Sequence, residues 1–256
     1  MQSFDHKSGK YLEIDGAKIY YEDIGNKSLP VLLMLHGGLG NIEHFNDLLA
    51  QLPDQFRVIG IDSRGHGMST LGSSELTYAL LQKEVETILE HLDINRLSIM
   101  GFSNGGTIAY RLAAFSNLQI DHLITIGSPW NTKHVEPIMQ AFSMIALDDW
   151  INQCPSDYEK YKQLNPASDI NQLFRKVVNL ALDKSNNSRP NEAVRKIRCP
   201  LLAARGEHDP IVSKENIVEL SELVNGSLIL DIQSAGHEAL IDQPKLFAKE
   251  ILKFLL

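Results

Sequence analysis

Three short stretches of the chain carry the residue types that nucleophilic acyl chemistry requires. Gly101–Phe102–Ser103–Asn104–Gly105–Gly106 follows the apolar run Leu97–Met100 and opens a helical pattern, so G-x-S-x-G stands in strand, turn, helix order. A serine thrown outward on so sharp a turn has strained φ/ψ. Side chains two positions to either side would collide with neighbouring strands or the helix, which accounts for the glycines. The helix beginning at the serine also points free N–H groups at the reacting centre, where negative charge develops.

An activated serine needs a base and a group that orients the base. Two later stretches offer them: Gly206–Glu207–His208–Asp209–Pro210 after Leu201–Ala204, and Ser234–Ala235–Gly236–His237–Glu238 after Leu228–Ile232. His237 follows a glycine in a loop, so its ring can swing over the sheet edge. His208 precedes the acid and, as its neighbour on an extended loop, points away from it; it reads as a surface residue. Asp209 is preferred to Glu207, on the same loop, and to Asp231, which shares a strand whose alternate residues are buried. Ser103, Asp209 and His237 then stand in the order Ser, Asp, His along the chain.

These residues need a frame. Val31–Leu35, Arg57–Ile61, Leu97–Met100, Leu123–Ile126, Leu201–Ala204 and Leu228–Ile232 are continuous apolar runs, the mark of strands buried on both faces. Lys10–Ile14 and Ala17–Ile24, joined at Asp15–Gly16, predict an opening hairpin. Helical patterns lie between the runs at Ile42–Leu52, Thr77–Leu92, Ser103–Phe115, Ser213–Leu223 and Pro244–Leu256. Alternating strand and helix predicts an α/β protein with a mostly parallel, doubly wound sheet, whose ligands gather beyond the C-terminal strand ends. Residues 131–195 break the rhythm. Val135, Ile138, Met139 and Phe142 repeat at helical spacing, and Ser168 caps a run with Ile170, Leu173, Phe174 and Val177 on one face, so a helical insertion is expected. Asp183–Glu192 reads as the loop that returns to the sheet.

Composition narrows the partners. The 256 residues, 43% hydrophobic and 22% charged, fit one globular domain with an insertion. A net charge of −8 has the wrong sign for nucleic acid or an anionic membrane. Cys154 and Cys199 lack metal or redox spacing, and neither a leader segment nor a membrane span is legible, so a reduced, cytoplasmic protein is expected. His36, His44 and His66 sit on different loops with no H-E-x-x-H pair, which argues against a metal. No cofactor is implied, since G-x-G-x-x-G and P-loop patterns are missing.

Five motifs in order give the chain a resemblance to the α/β-hydrolase superfamily over essentially its full length. They are His36–Gly37–Gly38–Leu39–Gly40, Asp62–Ser63–Arg64–Gly65–His66–Gly67–Met68–Ser69, the GFSNGG elbow, GEHDP and AGHE. The resemblance implies an oxyanion hole from the backbone N–H groups of Gly38 and Asn104, structural roles for His36 and the Asp62–Ser69 segment, and a helical cap after the sixth strand. Leu39, Trp130, Met139, Phe142 and Trp150 are candidate substrate contacts, with Met144 and Ile145 as further apolar cap residues. It further implies a serine hydrolase for a small or medium carboxylic ester or lactone. A C–C bond or enol-lactone hydrolase is the alternative, and a non-catalytic small-ligand receptor on the same fold is the alternative of another class. Peptidase activity of the proline iminopeptidase type fits poorly with Leu39 and Asn104, and Ser103 departs from the aspartate nucleophile of dehalogenases and epoxide hydrolases.

Overall fold

In the computed structural model, which describes residues 2–256 apart from the side chain of Gln140, the apolar runs become strands of one sheet. In chain order they are β1 (Lys10–Ile14), β2 (Ala17–Ile24), β3 (Val31–Leu35), β4 (Arg57–Ile61), β5 (Arg96–Phe102), β6 (Gln119–Ile126), β7 (Leu201–Gly206) and β8 (Leu228–Ile232). They lie side by side as β1-β2-β4-β3-β5-β6-β7-β8. β2 runs antiparallel to β1 and β4, and the remaining pairings are parallel. The α/β-hydrolase fold, with its N-terminal hairpin, is therefore the observed architecture.

The helices are α1 (Asn46–Leu49), α2 (Tyr78–His91), α3 (Asn104–Phe115), α4 (Thr132–Met144), α5 (Leu147–Gln153), α6 (Pro155–Leu164), α7 (Ile170–Leu182), α8 (Lys214–Leu223), α9 (Ala239–Asp242) and α10 (Pro244–Leu255). Side chains alternate along each strand between two apolar layers. Leu33, Leu35, Ile59, Ile99 and Leu123 pack with Val85, Ile88 and Ile108 of α2 and α3. Leu32, Met34, Val58, Met100 and Ile124 pack with Leu48, Phe247 and Ile251 of α1 and α10. Covering both faces is what makes the strand sequences continuously apolar. Among the described residues, no helix is long and apolar enough to cross a membrane.

Four local expectations are corrected. Leu228 and Ile229 are 53% and 38% exposed, because β8 is an edge strand with one neighbour rather than a strand buried on both faces. Ile42–Leu52 is not one helix: a 3-10 turn over Ile42–Phe45 leads into the single turn of α1. The cap of α7 is Asp169, whose carboxylate accepts from the Gln172 N–H at 3.0 Å, whereas Ser168 adopts φ 50° just before it. The polar return segment ends in a second 3-10 turn at Asn191–Lys196.

The strand order reverses beside β3: β4 lies on one flank and β5 crosses to the other. The C-terminal ends of β3 and β5 consequently border the crevice in which open α/β sheets hold ligands. Ser103 and the loop Gly37–Gly40 face each other there.

Candidate active site

Ser103 leaves β5 with φ 51° and ψ −117°, a conformation that costs an L-residue steric strain, and α3 starts at the next residue. The strain is held from both sides. The Ser103 N–H continues the ladder to the Ile126 carbonyl at 2.8 Å, while its own carbonyl accepts from the N–H groups of Gly106 and Thr107. Close packing of α3 on β3 fixes the helix end: a methyl on Gly105 would stand 2.0 Å from the Leu35 carbonyl oxygen. Only glycine fits.

The hydroxyl of Ser103 lies 3.0 Å from His237 Nε2, and His237 Nδ1 lies 3.0 Å from both carboxylate oxygens of Asp209. Phe102 packs against the imidazole at a centroid separation of 5.1 Å. Asp209 is buried, with a side chain at 0% exposure. Its Oδ1 also accepts the backbone N–H groups of Ile211 at 2.8 Å and Val212 at 3.1 Å. Burial pushes the Asp209 carboxyl up, but the His237 ring and these N–H donors outweigh it and hold the group below its ordinary value. Asp209 is an anion at neutral pH.

The other two carboxylates have different work. Glu207 accepts the Ser234 N–H at 3.0 Å and so pins the loop that carries His237. Asp231 pairs with Arg205 at 3.0 Å and with Lys214 at 3.5 Å. The acid and histidine loops are stitched further by Glu207 N–H to Ile232 and His208 N–H to Ala235, both at 2.9 Å. The His208 side chain is 72% exposed.

Beneath the pair lies Gly127, at φ 54° after β6. Its signal in the sequence is no more than a glycine at a strand end. His36 donates from Nδ1 to the Gly37 carbonyl at 2.7 Å and accepts the Ser63 N–H on Nε2 at 2.9 Å, bracing two loops as a neutral ring. Burial pushes its pKa down to about 3, with the nearby His66 adding to the fall. Asp62 serves as a turn device: its carboxylate accepts the N–H groups of Ile42 and Met68 at 3.0 and 2.8 Å.

The insertion spans α4 to α7 and is tied to the loops at the strand ends. Asn165 donates from Nδ2 to the carbonyls of Gly65, Gly67 and Ser69 at 3.0–3.1 Å. His44 meets Asp157, and Glu43 meets Lys160. Of the candidate substrate contacts, Leu39 sits half-buried at φ 59° on the β3 loop. Trp130 is corrected to a core residue: it is fully buried, and its indole N–H donates to the Asn216 carbonyl at 2.9 Å. Met139 is buried on α4. Phe142 is half-buried, and Trp150 packs edge-on to Tyr158 and against the core. Met144 and Ile145, at 73% and 40% exposure, face solvent at the end of α4.

The model of the α/β hydrolase fold family matches residues 30–153. The uncharacterized hydrolase YugF of Bacillus subtilis is 23% identical, covering 94% of this chain and 96% of its own. A putative esterase/lipase of Haemophilus influenzae is also 23% identical, over 88% of this chain and 83% of its own. The crystal structure of the enol-lactonase from Burkholderia xenovorans LB400 superposes with TM-score 0.77 at 20% identity, covering 96% of this chain and 99% of that one. The family model and the superposition both assign this chain the α/β hydrolase fold.

Proposed function

We propose that the protein is a serine hydrolase cleaving small or medium carboxylic esters, lactones included, through an acyl-enzyme. The observation that carries this reading is the unbroken hydrogen-bond line from Ser103 Oγ through His237 to Asp209. With Nδ1 facing an anionic carboxylate, the ring proton belongs on Nδ1, and Nε2 is left to accept the serine proton. Ser103 attacks the carbonyl carbon as His237 takes that proton. Asp209 orients the imidazole and stabilises its cationic form.

The oxyanion is received by the main-chain N–H groups of Gly38 and Asn104. Asn104 is the first residue of α3, so its N–H has no acceptor within the helix and the helix dipole adds to its effect. Collapse of the tetrahedral intermediate passes the proton from His237 to the leaving alkoxide. Water then repeats the sequence on the acyl-enzyme. The insertion from α4 to α7 acts as a cap that governs access. Likeness to a putative esterase/lipase and to an enol-lactonase supports an ester or lactone carbonyl as the target.

A fluorophosphonate probe should label one serine, and Ser103→Ala should lose both the label and hydrolysis across a panel of acyl esters and lactones. Full labelling of the Ala variant overturns the assignment.

A further inference from the structure

Asn104 brings a side chain as well as a main-chain N–H to the region of Ser103. Its Oδ1 accepts a 2.7 Å hydrogen bond from the hydroxyl of Tyr78, at the start of α2. Tyr78 is buried, which raises its pKa and keeps the hydroxyl a proton donor. An amide whose oxygen is engaged on one side presents its NH2 on the other. On that other side is Gly38: a methyl placed there would stand 2.7 Å from Asn104 Nδ2 and 3.2 Å from Cγ1 of Val177 on α7.

Gly38 is exposed and Asn104 half-buried, so the amide is within reach of solvent beside Gly38. Among the described residues Nδ2 donates to no acceptor. A two-proton donor therefore stands beside Gly38, with a methyl of Val177 from the insertion against the same glycine, and the catalytic steps above leave it unused. An alkyl chain drawn across it would strip its water and return nothing, whereas an oxygen in the same place would pair with it.

We propose that the Asn104 carboxamide, oriented by Tyr78, selects substrates whose acyl part carries an accepting oxygen two or three bonds beyond the scissile carbonyl carbon, in ether, keto or ring form. The inference rests on the serine-hydrolase reading. Asn104 is the specificity-determining contact and Tyr78 its positioning residue.

The test compares p-nitrophenyl methoxyacetate with butyrate and 3-methoxypropionate with pentanoate, pairs matched in chain length. Each kcat/KM is divided by the hydroxide-catalysed rate of the same ester to remove intrinsic reactivity. In one pair or both, the wild type should favour the oxygen-bearing ester by about 3- to 10-fold, the worth of one net hydrogen bond. Asn104→Leu, of similar shape, should bring that ratio to one. Tyr78→Phe should give an intermediate ratio by freeing the amide to turn, and it serves as the second variant if Asn104→Leu melts early. A wild-type ratio of one in both pairs, or a ratio unchanged in both variants, overturns the inference while ester turnover and Ser103 labelling keep the serine-hydrolase reading intact. A wild type that neither turns over these esters nor takes the fluorophosphonate overturns both.

Discussion

Gly127 lies against His237: a methyl added to it would stand 3.0 Å from both Nδ1 and Cε1 of the ring and 3.0 Å from Asp209 Oδ2. The space under the Asp209–His237 pair is a glycine's space. Gly127→Ala should displace the imidazole from Ser103 and lower kcat by about 100-fold, the cost of a misplacement near 1 Å. Its φ of 54° adds strain of ~1 kcal/mol or more. The check is ester turnover together with the Cm for urea unfolding; a folded variant with wild-type kcat removes the packing argument.

Asp209→Asn keeps the shape and removes the anion that fixes the histidine tautomer. It should cost ~10⁴ in kcat. Asp231→Asn should leave turnover within a few-fold, because that carboxylate serves Arg205 and Lys214 at the sheet edge. Near-normal turnover in Asp209→Asn, with collapse in Asp231→Asn, would reassign the acid.

The N-terminal segment is held by a histidine between two carboxylates. His6 Nδ1 bonds Glu43 at 2.6 Å and Nε2 bonds Asp62 at 2.9 Å. Burial disfavours its charged form, but the two carboxylates prevail and its pKa rises to about 9. A raised pKa gives stability that is fully present below the unfolded value near 6.5 and fades as pH climbs through 9. Unfolding free energy should therefore drop by roughly 2–3 kcal/mol between pH 6 and pH 10 from this group. His6→Asn should flatten that slope, and an identical slope in the variant would assign it to other groups.

Asn165 holds three main-chain carbonyls of the loop after β4 with a single amide nitrogen. Replacing it by Leu leaves those carbonyls and the N–H groups of Ala167 and Ser168 without their partner. A loss of ~2–4 kcal/mol is expected, with faster proteolytic cutting within residues 131–195. Unchanged stability and cutting would mean that the insertion is held by its apolar contacts alone.

What was legible in the sequence is what chain-local signals encode. Continuous apolar runs, Asp15–Gly16 and the elbow glycines placed the strands, the hairpin and Ser103 because each expresses a constraint within a few residues. Gly127 under His237 and Asn165 on Gly65, about 110 and 100 residues apart, express packing that no period or turn rule reports. Trp130 failed as a contact for the same reason: the carbonyl it needs belongs to Asn216, on a helix 86 residues away. Ser168 lost to Asp169 because adjacent polar residues cap equally well on paper, and backbone geometry decides between them.

The hydrogen bond between Ser103 and His237 spans 134 positions of chain. Ser103 and His237 meet only after the whole insertion has been traversed, β7 has docked on β6 and β8 on β7. Contacts so distant in sequence close late, since the loop entropy must be offset by earlier pairing. During refolding, ester turnover should appear after the helical signal and after burial of the β3–β5 core, so that activity is a clock for the last two strands to arrive.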